Sequence, residues 1–91
     1  MRLYWRQTRR GQRLVIGDKD QESEQEVGGV RETKSGFDAF AKTFGYEPGR
    51  SEKGMPTMDE AKSFVESFRP WDLFEGTEGL ELEPAVVPFE G

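Results

Sequence analysis

Cysteine, histidine and asparagine are all absent from the 91 residues of this chain. Without cysteine there is no disulfide framework, no thiol nucleophile and no thiolate metal site. Without histidine the chain lacks the commonest general base and the commonest transition-metal ligand. Without asparagine, N-glycosylation is excluded. No apolar run approaches the length of a membrane-spanning helix, and the first residues lack the apolar stretch of a signal peptide. These absences lead to the expectation of a cytoplasmic protein that is not an enzyme, carries no cofactor or metal and does not associate with a membrane.

Apolar residues are also scarce, at 33% against 34% charged residues, so one small domain with a modest core is expected. Seven Phe, two Trp and two Tyr concentrate the available burial at few positions, which argues for a folded chain rather than a disordered one. The net charge of −5 is unevenly distributed. Residues 1–13 hold Arg2, Arg6, Arg9, Arg10 and Arg13 and no acid, whereas residues 14–26 are acidic and residues 70–91 contain acids and no base. Two readings follow. Either the basic and acidic segments lie near each other on a solvated surface, or a basic face binds a ligand and an acidic tail competes for it.

The stretch RLYWRQTRRGQRLVIGD reads as a β-hairpin with Gly11 in the turn. Period-two spacing puts Leu3, Trp5 and Gln7 on one side and Arg2, Tyr4, Arg6 and Thr8 on the other, one side apolar and one basic. DKDQESEQE, residues 18–26, has no apolar residue and reads as a flexible acidic loop. Residues 37–44 admit two readings. As a helix, Ser35 caps it and Phe37, Phe40, Ala41 and Phe44 share a face. As a strand, Phe37–Thr43 pairs with Val30–Thr33 across a KSG turn whose Gly36 is left-handed, and this reading is preferred because it leaves no orphan strand. GYEPGRSEKG reads as turn-rich loop, with Pro48, Gly49 and Gly54 as breakers. TMDEAKSFVESF is a capped amphipathic helix: Thr57 is the N-cap, Glu60 stands three residues on, and Met58, Ala61, Phe64, Val65 and Phe68 form the apolar stripe. Pro70 closes it. The expected fold is therefore α+β, a small antiparallel sheet of about four strands with one helix on a face. Residues 1–74 form the domain and residues 75–91 an extended acidic tail.

The order strand, turn, strand, loop and helix, with GVR at Gly29–Arg31 and T-x-x-E-A at Thr57, Glu60 and Ala61, resembles the three-strand-plus-helix modules of plant AP2 domains and of the arm-binding domains of phage-type integrases. In those families a helix packs on one face of the sheet and the other face enters the DNA major groove. The resemblance implies the same layering here and, for function, a nucleic-acid contact.

No pair of carboxylates stands apart as a catalytic constellation, and Asp18/Asp20 lacks the ligand pattern of a calcium loop. Two binding surfaces are candidates. PWDLF places Trp71, Asp72, Leu73 and Phe74 beyond the helix, either as a lid on the core or as a peptide presented to another protein. Asp72-Leu73-Phe74 is similar to the end of bacterial sliding-clamp-binding peptides, with Pro70 and Trp71 where those peptides have Gln and Leu. The leading expectation is a protein-binding accessory or inhibitory factor, of the kind bacteria and their phages encode, that uses residues 71–74. The alternative is a nucleic-acid-binding module in which Tyr4, Trp5, Arg6, Arg9, Arg10 and Arg13 contact phosphates and stack bases.

Overall fold

Alternating apolar residues build the first hairpin. In the computed structural model, which describes residues 1–43, 46–74, 76–77 and 79–89 (backbone alone at 46–48), strand β1 runs Arg2–Thr8 and β2 runs Gly11–Gly17. They pair antiparallel, with Leu3 opposite Ile16 and Trp5 opposite Leu14. The connection is Arg9-Arg10 alone, since Thr8 already pairs with Gly11. Gly11 is thus a strand residue rather than the expected turn residue, and a Cβ there would stand 1.9 Å from the Val30 carbonyl oxygen.

Strands β3 (Gln25–Thr33), β4 (Gly36–Thr43) and β5 (Tyr46–Met55) complete an antiparallel meander in the order β1-β2-β3-β4-β5. The α+β expectation holds, with five strands instead of four. The fifth comes from the segment expected to be a loop. An edge strand has hydrogen-bonded neighbours on one side only, so Pro48 is tolerated there. Gly49 and Gly54 take positive φ (109° and 70°), and the register with β4 shifts twice along this pair. Glycine and proline bend β5 without breaking it.

Residues 37–43 are strand, as the hairpin reading required; Phe44 lies outside the described residues. Ala39 and Ala41 point into the core and Phe40 points away, so the period is two and the helical reading fails. The turn is shorter than expected, Lys34-Ser35, with Gly36 at φ +127° already pairing with Thr33.

Helix α1 (Met58–Ser67) crosses one face of the sheet over β3 and β4. The Thr57 hydroxyl accepts from the Glu60 N–H at 3.1 Å, as the cap signature indicates. Ala61 and Val65 are fully buried, Met58 and Phe64 partly so. Phe68, expected on the stripe, is the C-cap residue and 38% exposed, with its ring edge-on against Phe64. Close approach is possible because residue 28 is glycine: a Cβ there would stand 2.5 Å from Val65 Cγ1. The core between the layers holds Leu3, Trp5, Leu14, Ile16, Val27 and Val30 beneath the helix. A shift in register between Leu14 and Val15 skips Val27 in the pairing of β2 with β3, which turns Val27 into that core.

The chain beyond α1 does not trail away. Arg69 adopts the left-handed conformation (φ 46°), and Pro70 opens a 3₁₀ turn, Pro70–Leu73. Pro70 and Trp71 are buried, Leu80 and Leu82 pack against the core, and the segment continues alongside β1. There it runs parallel to β1, with Glu83 N–H donating to Leu3 O (2.9 Å), Val87 N–H to Trp5 O (2.8 Å) and Gln7 N–H to Val87 O (2.8 Å). The expected extended acidic tail is, over its described residues, a strap on the sheet. It lies there because β1 is an edge whose outward N–H and C=O groups need partners, and two leucines add apolar burial to the same path.

Truncating Trp71 to Ala opens a cavity in this core, and is expected to lower stability by about 3–5 kcal/mol in urea unfolding. A loss below about 1 kcal/mol would mean that residues 70–74 are not part of the domain core.

Candidate nucleic-acid interface

The sheet has a helix on one face and, among the described residues, none on the other. On the open face, alternation brings Arg2, Tyr4 and Arg6 of β1 beside Arg13 and Val15 of β2, then Glu26, Gly29 and Arg31 of β3, then Phe40 of β4. This face divides into a closed half and an open half.

At the closed half, the basic residues expected to meet a ligand are already engaged. Arg6, 2% exposed, bonds Glu24 through Nε at 2.7 and 2.8 Å, and its terminal nitrogens reach the carbonyls of Lys19 (2.8 Å) and Pro88 (3.1 Å). Tyr4 donates to Glu24 Oε2 (2.6 Å) and accepts from the Lys19 N–H (2.7 Å), whose residue is held at φ 72°. Burial, followed by the bond to the Glu24 carboxylate, pushes the Tyr4 phenol up to about 12. The acidic loop is therefore anchored: Glu24 is buried, Gln25 and Glu26 belong to β3, and Asp20 accepts from Ser23 at 3.0 Å. Glu83 of the strap bridges Lys19 (2.9 Å) and Arg2 (3.1 Å), and the Lys19 bond holds its carboxyl below the usual range. Basic and acidic segments do lie together, as the first of the two charge readings had it.

Trp5 faces the other way. Its indole N–H donates to Glu66 of α1 (2.8 Å), and Lys62 lies 5.0 Å from its ring centre, with burial drawing the Lys62 ammonium pKa down. Tyr4, Trp5 and Arg6 are structural residues here, removed from any ligand by burial.

The open half begins at the hairpin tip. Arg9 and Arg10 are exposed and pair with no carboxylate among the described residues. They border an open groove of about 370 Å³ whose floor and walls include Arg13, Gly29, Arg31 and Phe40. Arg13 donates through Nε to Glu26 at 2.8 Å, and both side chains border the groove. A second depression of about 350 Å³, with Lys34, Glu32 and Thr33 on its wall, lies on the other side of the same arginine turn. Cations outnumber acids around both, in a protein of net charge −5.

Arg31 enters the sequence analysis only as the end of the GVR motif and Phe40 only as a member of residues 37–44, neither as a site residue. Their signal was present once 37–43 is read as strand: Ala39 and Ala41 inward force Phe40 outward, and Arg31 shares that parity across the pair.

The other candidate surface is mostly folded in. Trp71 is 6% exposed, with the Arg69 guanidinium 5.1 Å from its ring centre, and its indole N–H has no hydrogen-bond partner among the described residues. Phe74 packs against the core, Leu73 is half-buried, and exposed Asp72 pairs with Arg69 at 2.8 Å.

No group of three or more acidic residues among those described is arranged to hold a metal ion, and no described helix is long and apolar enough to cross a membrane. Comparison with models of known protein families, with characterised proteins and with solved structures finds no match to this chain.

The Tyr4 environment has a pH signature. The phenol ordinarily titrates at 10.0 and is held to about 12 in the fold, so the unfolded chain loses this proton first. The contribution to stability is complete below about pH 10 and disappears as pH rises through about 12, a total of about 2–3 kcal/mol. Tyrosine absorbance should show one phenolate appearing only near pH 12, and Tyr4→Phe should abolish that late step. A Tyr4 phenolate appearing near pH 10 would contradict the buried cluster.

Proposed function

We propose that this chain is a small, non-enzymatic, cytoplasmic binding module that holds the phosphate backbone of a nucleic acid on the open face of its sheet. The single observation that carries the reading is the groove beside the Arg9-Arg10 turn, where Arg9, Arg10 and Arg31 stand without a carboxylate partner among the described residues and Arg13 is held by Glu26. By contrast, Arg2, Arg6, Lys19 and Arg69 are spent on internal pairs with Glu24, Glu83 and Asp72. Unneutralised guanidinium groups on a concave surface release counterions when they meet phosphates, and their planar fork suits phosphate oxygens better than an ammonium does. The layering of one helix on one face of the sheet is also what the resemblance to AP2 and integrase arm-binding modules implies. In a chain of net charge −5, this local cationic groove is a place where a polyanion meets attraction instead of repulsion, which orients the encounter.

A protein-binding accessory or inhibitory role through residues 71–74 draws less support, since a docking peptide must offer its apolar anchors and Trp71 is committed to the core.

The reading is tested by fluorescence anisotropy with a labelled single-stranded oligonucleotide over a series of salt concentrations. Binding should weaken steeply with salt, and Arg9→Ala with Arg10→Ala should reduce the slope of log K against log salt by about 1.4, at about 0.7 per lost phosphate contact. No binding at low salt, or a slope unchanged by the double substitution, removes the proposal.

A further inference from the structure

The groove holds more than charge. Phe40 is one of the few large apolar residues left exposed, at 37%, and it sits among the arginines instead of in a separate apolar patch. Nothing in the stability of the domain calls for it there: the neighbouring β4 residues that face the core are alanines, and Phe40 is on the opposite side of the strand. The residue across the pair is Gly29, and a Cβ on Gly29 would stand 2.9 and 3.4 Å from Cε1 and Cζ of the Phe40 ring. Glycine at 29 therefore lets the ring settle over β3 and not stand away from the sheet. Across β2, Arg13 is the partner of Gly29, so a single row of the sheet reads Arg13, Gly29 and Phe40, with Arg31 one position along.

This geometry points to a single-stranded nucleic acid as the ligand, with one unpaired base stacked on Phe40 while Arg9, Arg10, Arg13 and Arg31 hold its phosphates. The inference rests on the nucleic-acid reading above and narrows it. A duplex hides its base faces within its own stack, and meets an aromatic ring only with edges and methyl groups. An unpaired strand offers a π-face to every side chain it passes, and a ring beside guanidinium groups gains stacking and charge neutralisation at once. An acidic peptide would satisfy the arginines, yet would leave the exposed ring with nothing to stack.

The test compares three probes at low salt: a short oligothymidylate, an abasic strand of equal length that keeps every phosphate and lacks every base, and polyglutamate. The intact strand should bind about 5- to 150-fold more tightly than the abasic strand, the range expected for one stacked base. Phe40→Ala and Phe40→Leu should both abolish that ratio while leaving the abasic strand's affinity unchanged, and Phe40→Tyr should keep it. Circular dichroism of each variant should match the parent, since Phe40 is outside the core. Equal binding of intact and abasic strands, with salt dependence retained, overturns base stacking and leaves phosphate binding standing. Polyglutamate binding as tightly as oligothymidylate overturns the nucleic-acid ligand in favour of an acidic protein. If neither strand binds, the parent reading falls as well.

Discussion

The buried ion pair between Arg6 and Glu24 ties together three pieces of chain that are distant in sequence. Arg6 is on the first strand, Glu24 ends the acidic loop, and the Pro88 carbonyl that Arg6 also holds belongs to the C-terminal strap. Two charges taken out of water are expensive, and their mutual attraction offsets the desolvation only when remaining donors are satisfied. Here they are: the guanidinium bonds one carboxylate and two carbonyls, while the carboxylate takes the Tyr4 hydroxyl as well. Removing one partner would strand the other in a dry site, at a cost of about 3–5 kcal/mol, a large share of the stability of a domain this size.

That constraint decides which arginines are free. The N-terminal segment carries five of them, and the fold divides the set by strand position. Arg6 is internal, Arg2 bridges to Glu83, Arg13 is held by Glu26, and Arg9 and Arg10 form a two-residue turn that pairs with none of these acids. The acidic loop and strap neutralise one end of the open sheet face and leave the other end basic. A chain of net charge −5 thereby acquires a local cationic groove. The strap has a second effect, since it closes the exposed edge of β1 to pairing with other chains.

Much of the scaffold was legible because local signals agreed with one another. The Thr57 cap, the helical stripe up to Val65, the first hairpin and the strand reading of 37–43 rest on period and capping, which act within a few residues. What escaped the sequence is non-local. β5 reads as loop because Pro48, Gly49 and Gly54 oppose strand formation, and only its position at the sheet edge makes them tolerable. Tyr4 and Arg6 read as a solvent-facing basic side, since nothing local says that Glu24 and Pro88 will cover them. The strap reads as tail because its hydrogen-bond partners lie some eighty residues earlier in the chain. Of the site residues, Arg9, Arg10 and Arg13 were visible by composition, but Arg31 and Phe40 needed the pairing register.

Chemical-shift mapping of the isotope-labelled protein, titrated with an oligothymidylate, tests the central claim most directly. The account predicts amide shifts clustered at Arg9–Arg13, Gly29–Arg31 and Phe40, with residues 71–74 and 82–88 unmoved. Shifts clustered on residues 71–74 or on the strap would contradict it, as would a spectrum that does not change.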